Sequence, residues 1–140
     1  MTADGALAEL NAYTLTRGDV AFIHQHVVDA GTAQAATAAT KPIAITFALA
    51  GLYLHVEKGF TGREVQLAHM KMARQRRDWP ALPLPADRGA TSADDVLAAP
   101  AGPARDAAIH AWARAVWRAF SGSRGTIAAL LEDLAIAPRA

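Results

Sequence analysis

The chain has 140 residues, a length that fits one domain with a buried core. Hydrophobic residues make up 52%, charged residues 19% and alanine about a quarter of the chain, so we expect an all-α, single-domain protein over residues 1–140. The net charge of +1 provides no general attraction to nucleic acid or anionic membranes, and the absence of cysteine excludes disulfides, thiolate metal sites and cysteine nucleophiles.

The first two predicted helices are separated by Arg17-Gly18. Apolar residues at helical spacing predict the first helix over residues 5–16. Asp19 is typical of an N-cap, and the apolar residues after it predict a second helix from Val20 toward Ala39. The second half of this helix carries small side chains, which must pack closely against another helix or leave a cavity.

The third predicted helix is the central one. Thr40 is a candidate cap, and Pro42 suits the first turn, where its missing amide costs no hydrogen bond. Residues 43–54 are apolar on nearly every side, which is typical of a buried helix, and the run is shorter than the roughly 20 apolar residues that span a bilayer. We predict a central buried helix near residues 42–58.

A short turn connects this helix to a fourth, predicted from Thr61 to about residue 77. Gly59 can adopt the positive φ that ends a helix. Thr61 and Glu64 have the spacing of a capping box, and Phe60 can pack back against the new helix as a hydrophobic staple. The two helices are therefore predicted to form a hairpin.

The remaining sequence predicts an irregular segment and three helices. Prolines make residues 79–89 extended, and cap residues with acids over 91–95 begin a short helix. A longer helix from Pro103 carries Trp112 and Trp117 as core anchors, and an amphipathic helix follows it. The expected architecture is one bundle of five to seven helices, with the two tryptophans packed on the central helix.

Three of the five histidines are candidate metal ligands, because His24, His55 and His69 lie on or near apolar faces of three successive helices. The chain has no His-Glu-x-x-His or other metal signature. No cofactor is therefore predicted, and a divalent metal is the alternative. His55 and His69, beside Glu57, are also candidates for acid–base catalysis. Otherwise each histidine is expected to bond a carbonyl or carboxylate between helices.

Small residues on the second helix face small residues on the third, and this favours either close packing or an apolar pocket between them. A pocket there would be walled by larger aromatic side chains. The candidate pocket residues are Phe22, Gly31, Phe47, Tyr53 and Trp112.

The surface features predict few partners. Basic residues near the end of the fourth helix are typical of a solvated helix face, so we expect neither nucleic-acid binding nor membrane binding. A homodimer is left open as an alternative to a monomer. Residues 1–5 lack the basic start and apolar core of a signal peptide, and we expect a cytoplasmic protein.

Several short phrases, in their order and spacing, resemble an uncharacterised bacterial all-helical family of unknown function, DUF5946. They include Phe22-Ile23-His24-Gln25, Gly51-Leu52-Tyr53-Leu54-His55-Val56-Glu57-Lys58, Trp79-Pro80 and Ile109-His110-Ala111-Trp112. The resemblance implies a small soluble bacterial protein and transfers no catalytic residues. The leading hypothesis is a helical bundle with an apolar ligand pocket. The alternative is a metal-dependent or acid–base enzyme that uses interhelical histidines, and nucleic-acid binding comes third.

Overall fold

A computed structural model of the protein describes residues 3–136. In this range the chain forms seven α-helices, one 3₁₀ turn and no strands, so the predicted all-α bundle is confirmed. None of the described helices is both long enough and apolar enough to cross a membrane. The elements are α1 (Ala3–Arg17), α2 (His24–Ala35), α3 (Pro42–Lys58), α4 (Gly62–Gln75), α5 (Ala93–Ala98), α6 (Pro103–Ala119), the 3₁₀ turn (Ser121–Ser123) and α7 (Arg124–Asp133).

Helix α3 is the centre of the bundle, as the sequence predicts. Its residues from Ile45 to Leu54 are buried, apart from the half-buried Phe47. It contacts α2, α4, α6 and α7. Trp117 on α6 packs edge-on against the ring of Tyr53, with the ring centroids 5.9 Å apart. Because burying one large apolar side chain stabilises the fold by about 1.5–3 kcal/mol, this helix is held mainly by hydrophobic packing.

The turn between α3 and α4 has the predicted caps. Gly59 has φ of 71°, and its N–H donates to the carbonyl oxygen of His55. The Thr61 hydroxyl accepts from the Glu64 N–H while the Glu64 carboxylate accepts from the Thr61 N–H, which completes the capping box. Phe60 is buried between the two caps. Helix α4 ends at Gln75, slightly earlier than predicted.

Helix α2 begins later than predicted. The sequence places its start at Val20, but the helix starts at His24. Phe22 has φ of 60°, which a right-handed helix does not accept, so residues 19–22 form a turn instead. The Asp19 carboxylate caps this turn by accepting from the N–H of Ile23. Asp19 is thus a capping residue, but of the turn that precedes the helix.

The end of α2 and the start of α3 also differ from the prediction. Helix α2 ends at Ala35, because Ala36 is extended with ψ of 139°. Lys41, not Thr40, is the N-cap of α3, and its side chain makes no capping bond. The Thr40 hydroxyl accepts from the N–H of Thr37 and closes the turn between the helices.

The predicted irregular segment between α4 and α5 is bonded to the end of α2. The Arg88 guanidinium donates to the carbonyl oxygens of Ala33 and Gln34, at 3.0 and 3.3 Å. In return, the Gln34 side-chain amide donates to the carbonyl oxygen of Thr91 at 2.7 Å. The last carbonyls of a helix have no partner within it, so Arg88 satisfies groups that would otherwise need water.

Candidate metal centre

Three histidines from three helices meet at one point in the bundle. His26 comes from α2, His55 from α3 and His110 from α6, and one ring nitrogen from each lies within 4.8 Å of the other two. The rings of His26 and His55 are stacked with centroids 3.5 Å apart. The Nε2 atom of His55 is 3.0 Å from the Nδ1 atom of His110. Among the described residues this is the one group of three or more possible metal ligands.

The three histidines lie at different points along their helices. His26 lies in the first turn of α2, just after the Phe22 turn, and His55 lies in the last turn of α3, just before Gly59. His110 lies in the middle of α6. Helices α2, α3 and α6 all contact one another. Side chains that point into the space between three mutually packed helices converge, which is how helical bundles build sites.

The hydrogen bonds determine which ring nitrogens carry protons. The Nδ1 atom of His55 is 3.0 Å from the carbonyl oxygen of Phe60, which can only accept, so this nitrogen carries the proton. In a neutral ring the Nε2 atom of His55 is then an acceptor, and the Nδ1–H of His110 donates to it. The Nδ1 atom of His26 is buried and has no hydrogen-bond partner in the part of the chain that the structure describes.

Burial lowers the pKa of all three histidines. It lowers the pKa of His26 to about 2, helped by the neighbouring rings of His55 and His110. Burial also lowers the pKa of His55, although its bond to Phe60 acts in the opposite direction. The pKa of His110 is lowered by burial and by the nearby cation of Arg114. At neutral pH the rings therefore present lone pairs, which is the form that binds metal ions.

The three rings form one wall of a cleft of about 320 Å³. Asp106, one helical turn before His110, lies on the same cleft, as does Asp19 of the Phe22 turn. The Tyr13 hydroxyl donates to Asp106 Oδ1 at 2.9 Å, and Arg17 donates to Asp106 Oδ2. This carboxylate is therefore held by two residues of α1.

The three predicted metal ligands do not come together. Of His24, His55 and His69, only His55 belongs to the cluster. His24 Nδ1 lies 2.9 Å from the Thr14 hydroxyl of α1, and His69 Nε2 lies 2.7 Å from the carbonyl oxygen of Phe47. His69 therefore bonds a carbonyl between helices, as the alternative interpretation expects, whereas His24 bonds a hydroxyl of α1.

His26 and His110 are not among the predicted metal ligands, although the sequence carries a signal for both. His26 precedes the buried Ala30 and Ala33 by four and seven residues, and His110 precedes the buried Ala113 and Trp117 by three and seven. These spacings place each histidine on the buried face of its helix. The exposed fraction of His26 is only 3%, which agrees with this placement.

Glu57, the predicted partner of a catalytic histidine, is engaged elsewhere. One of its carboxylate oxygens accepts from the indole N–H of Trp117 at 2.7 Å. Both oxygens accept from the guanidinium of Arg124, at 2.7 and 3.0 Å. Glu57 therefore connects α3 to α6 and α7, and it does not line the histidine cleft.

The five candidate residues of the apolar pocket are divided among different sites. Gly31 and Trp112 line a cavity of about 150 Å³ between α1, α2, α5 and α6. Phe22 packs against His24, and Phe47 packs against His69 and Trp79. Tyr53 packs against Trp117 in the core. In the part of the chain that the structure describes, these five residues therefore lie in different surroundings and do not line one of its described cavities together.

Several of the basic residues considered for nucleic-acid binding make bonds within the chain. Arg63 donates to the side chain of Gln66, and Lys71 donates to the carbonyl oxygen of Ala135 at 2.8 Å. Arg88 donates to the end of α2. These three side chains therefore make bonds within the chain, and the expectation about nucleic-acid binding stays a prediction.

Comparison with known proteins identifies a family and no characterised relative. Neither the curated proteins nor the solved structures gave a match. The sequence model of a family of unknown function, DUF5946, matches residues 4–121, a range that contains all three clustered histidines. The match covers most of the chain, and the protein therefore belongs to this family of unknown function.

Proposed function

We propose that the protein is a metal-dependent enzyme whose centre is one divalent transition-metal ion held by His26, His55 and His110. The observation that supports this is the convergence of three imidazole nitrogens, from three helices, to within 4.8 Å of one another. Three protein ligands are typical of catalytic sites, where a further coordination position stays open to water or substrate. The adjoining cleft of about 320 Å³ is where that position would lie.

The ligand chemistry favours an ion of the zinc class. An all-imidazole set suits zinc, copper, nickel and iron, whereas magnesium and calcium prefer oxygen ligands. Burial lowers the pKa of all three rings, which favours the neutral form whose lone pairs bind a metal ion. The bond from His55 Nδ1 to the Phe60 carbonyl supports the same proposal, because metal-ligating histidines usually donate their other N–H to such a group.

Binding requires small rearrangements of the rings. The 3.0 Å between His55 Nε2 and His110 Nδ1 is close to the separation of about 3.3 Å expected for two nitrogens on one tetrahedral zinc ion. The proton on His110 Nδ1 must move to Nε2, which leaves the ring neutral. The stacked rings of His26 and His55 must also fan apart.

Calorimetric titration of the full chain with ZnCl₂ tests the proposal. We expect one zinc ion per chain, a higher melting temperature with bound zinc, and an affinity lowered by about 100-fold or more in His55→Gln and His110→Gln. His24→Asn is the matched control, because His24 lies on the same turn as His26 but bonds to Thr14. Absence of stoichiometric zinc, or an equal loss in the control, would contradict the proposal.

A second candidate function is the binding of a small apolar molecule in the cavity beside Gly31 and Trp112. Leu7, Ala35 and Ala93 complete its apolar walls. The Gln34 amide at its edge is already engaged, since it accepts from the Trp112 indole N–H and donates to Thr91. A volume of about 150 Å³ suits a single aromatic ring.

Nuclear magnetic resonance of the Trp112 indole N–H, with benzene as the probe, tests this second function. We expect a saturable shift of this signal in the parent protein and none in Ala35→Leu, whose larger side chain fills the cavity. Ala38→Leu, in the exposed turn after α2, is the control and is expected to behave like the parent. An unchanged Trp112 signal at saturating benzene would rule the cavity out as a site for this probe.

A further inference from the structure

A fixed carboxylate lies in the cleft beside the three histidines. We infer that Asp106 is the general base of the proposed metal centre and that the cleft takes small, uncharged esters or amides as substrates for hydrolysis. The inference rests on the proposed metal centre and assigns it a reaction and a substrate class.

The first support is the way Asp106 is held. Tyr13 donates to Oδ1 and Arg17 donates to Oδ2, so both oxygens have a partner on α1. The Tyr13 hydroxyl is itself positioned by the N–H of Gly102, at 2.9 Å, and its ring lies under the Arg105 guanidinium, 4.8 Å away. A base must be held in place to take a proton in the transition state.

The second support comes from the other carboxylate on the cleft. Asp19 also lines it, but one of its carboxylate oxygens accepts from the N–H of Ile23 and caps the Phe22 turn. The three histidines are the metal ligands of the proposal. Among the described residues that line the cleft, Asp106 is therefore the acid or base that neither binds the proposed metal ion nor caps a turn.

The size and charge of the cleft indicate the substrate class. Its volume of about 320 Å³ is at the lower end of the roughly 300–1,000 Å³ found for small-molecule sites. No lysine or arginine is among the described residues that line it, so no permanently charged cation lines the cleft to pair with a phosphate or carboxylate group. A small ester or amide without charge fits these walls best.

The proposed reaction consumes one water molecule, whose acidity the metal ion would raise. Asp106 takes one proton of this water while the water oxygen forms a bond to the carbonyl carbon of the substrate. The bond from that carbon to the leaving alcohol or amine then breaks. Asp106 returns its proton to the leaving group, so the products are the acid and the alcohol or amine.

Steady-state hydrolysis of 4-nitrophenyl acetate by the zinc-loaded full chain tests the inference, with 4-nitrophenyl phosphate as the anionic comparison. We expect sustained turnover of the acetate only, above the rates of metal-free protein and of ZnCl₂ alone. In Asp106→Asn we expect kcat to fall about 100-fold, because general-base catalysis contributes about 10²–10⁴-fold. Zinc affinity should stay within a few-fold of the parent, since Asn keeps the bond from Tyr13.

Asp133→Asn, an exposed acid at the end of α7, is the control and should keep the parent kcat. An Asp106→Asn protein that binds zinc and turns over at the parent rate would overturn the role of Asp106. The substrate class would be overturned if the zinc-loaded parent hydrolysed the phosphate faster than the acetate, or if it hydrolysed neither compound. The proposed metal centre would still stand in both cases. Failure to bind zinc in the calorimetric titration would remove both proposals.

Discussion

Replacing Gly62 by alanine is expected to destabilise the protein by about 3 kcal/mol or more, because the new methyl group has no space. A Cβ atom at Gly62 would lie 1.8 Å from the backbone carbonyl oxygen of Phe22 and 3.1 Å from that of Ala21. The two turns are in direct backbone contact there, since the Arg63 N–H donates to the Ala21 carbonyl at 2.9 Å. Backbone atoms cannot move aside as a flexible side chain can.

The same substitution is expected to weaken zinc binding, because the Phe22 turn leads directly into His26. Phe22 keeps a positive φ, which is costly for a residue with a side chain and persists only where the surroundings enforce it. Gly62 is part of those surroundings. A displaced turn would move the first turn of α2, and His26 with it.

Urea unfolding followed by circular dichroism measures the effect on stability. Gly125→Ala is the matched control, because a Cβ atom at that exposed position of α7 would meet nothing within 4 Å. There we expect stabilisation of up to about 1 kcal/mol, from the better helix propensity of alanine. A Gly62→Ala protein within about 0.5 kcal/mol of the parent would show that the two turns are not packed as described.

Replacing Asp29 by asparagine is expected to change how stability depends on pH. Asp29 is fully buried on α2, and burial raises the pKa of its carboxyl group well above the usual value, against the opposing bond from Gln25. Its Oδ2 atom lies against the backbone of Gly51, where a Cβ atom would be only 1.9 Å away. Asparagine has the same shape, so it fits the same space without a titrating group.

The sign of the effect follows from proton binding. As pH rises above about 4, the unfolded carboxyl group of Asp29 loses its proton while the folded one keeps it. The folded state then binds more protons than the unfolded state. The contribution of Asp29 to the free energy of unfolding therefore falls with rising pH, by up to about 1.4 kcal/mol per pH unit, until the pH reaches the pKa of Asp29 in the folded protein.

His26 acts in the opposite direction. Its folded pKa of about 2 lies below its unfolded value, so its contribution is fully present above about pH 6.5 and is lost as pH falls toward 2. The parent protein and Asp29→Asn contain the same histidines. The difference between their free energies of unfolding therefore reports the contribution of Asp29 alone. We expect the advantage of Asp29→Asn to grow from pH 4 toward neutrality, as measured by urea unfolding at each pH. A difference that stays constant over this range would contradict the burial of a protonated Asp29.

Several features with a local signal could be read from the sequence, although Thr40 is not the N-cap of α3. The glycine stop at residue 59, the Thr61–Glu64 capping box and the apolar run of α3 each depend on residues within one or two turns, and each is found as predicted. The start of α2 could not be predicted from local sequence signals. The turn before it depends on contact with Gly62, forty residues further along the chain, which overrides the local preference of Phe22.

Only the tertiary structure shows which of the histidines form the cluster. Spacing along one helix shows which face a residue lies on, and on that basis His26 and His110 could have been placed on buried faces. Spacing does not show which faces of different helices meet, because that depends on the mutual packing of α2, α3 and α6. The sequence by itself therefore determined an all-helical bundle around α3 with a capped turn near His55. Only long-range packing decided that His26 and His110, and not His24 and His69, lie beside it.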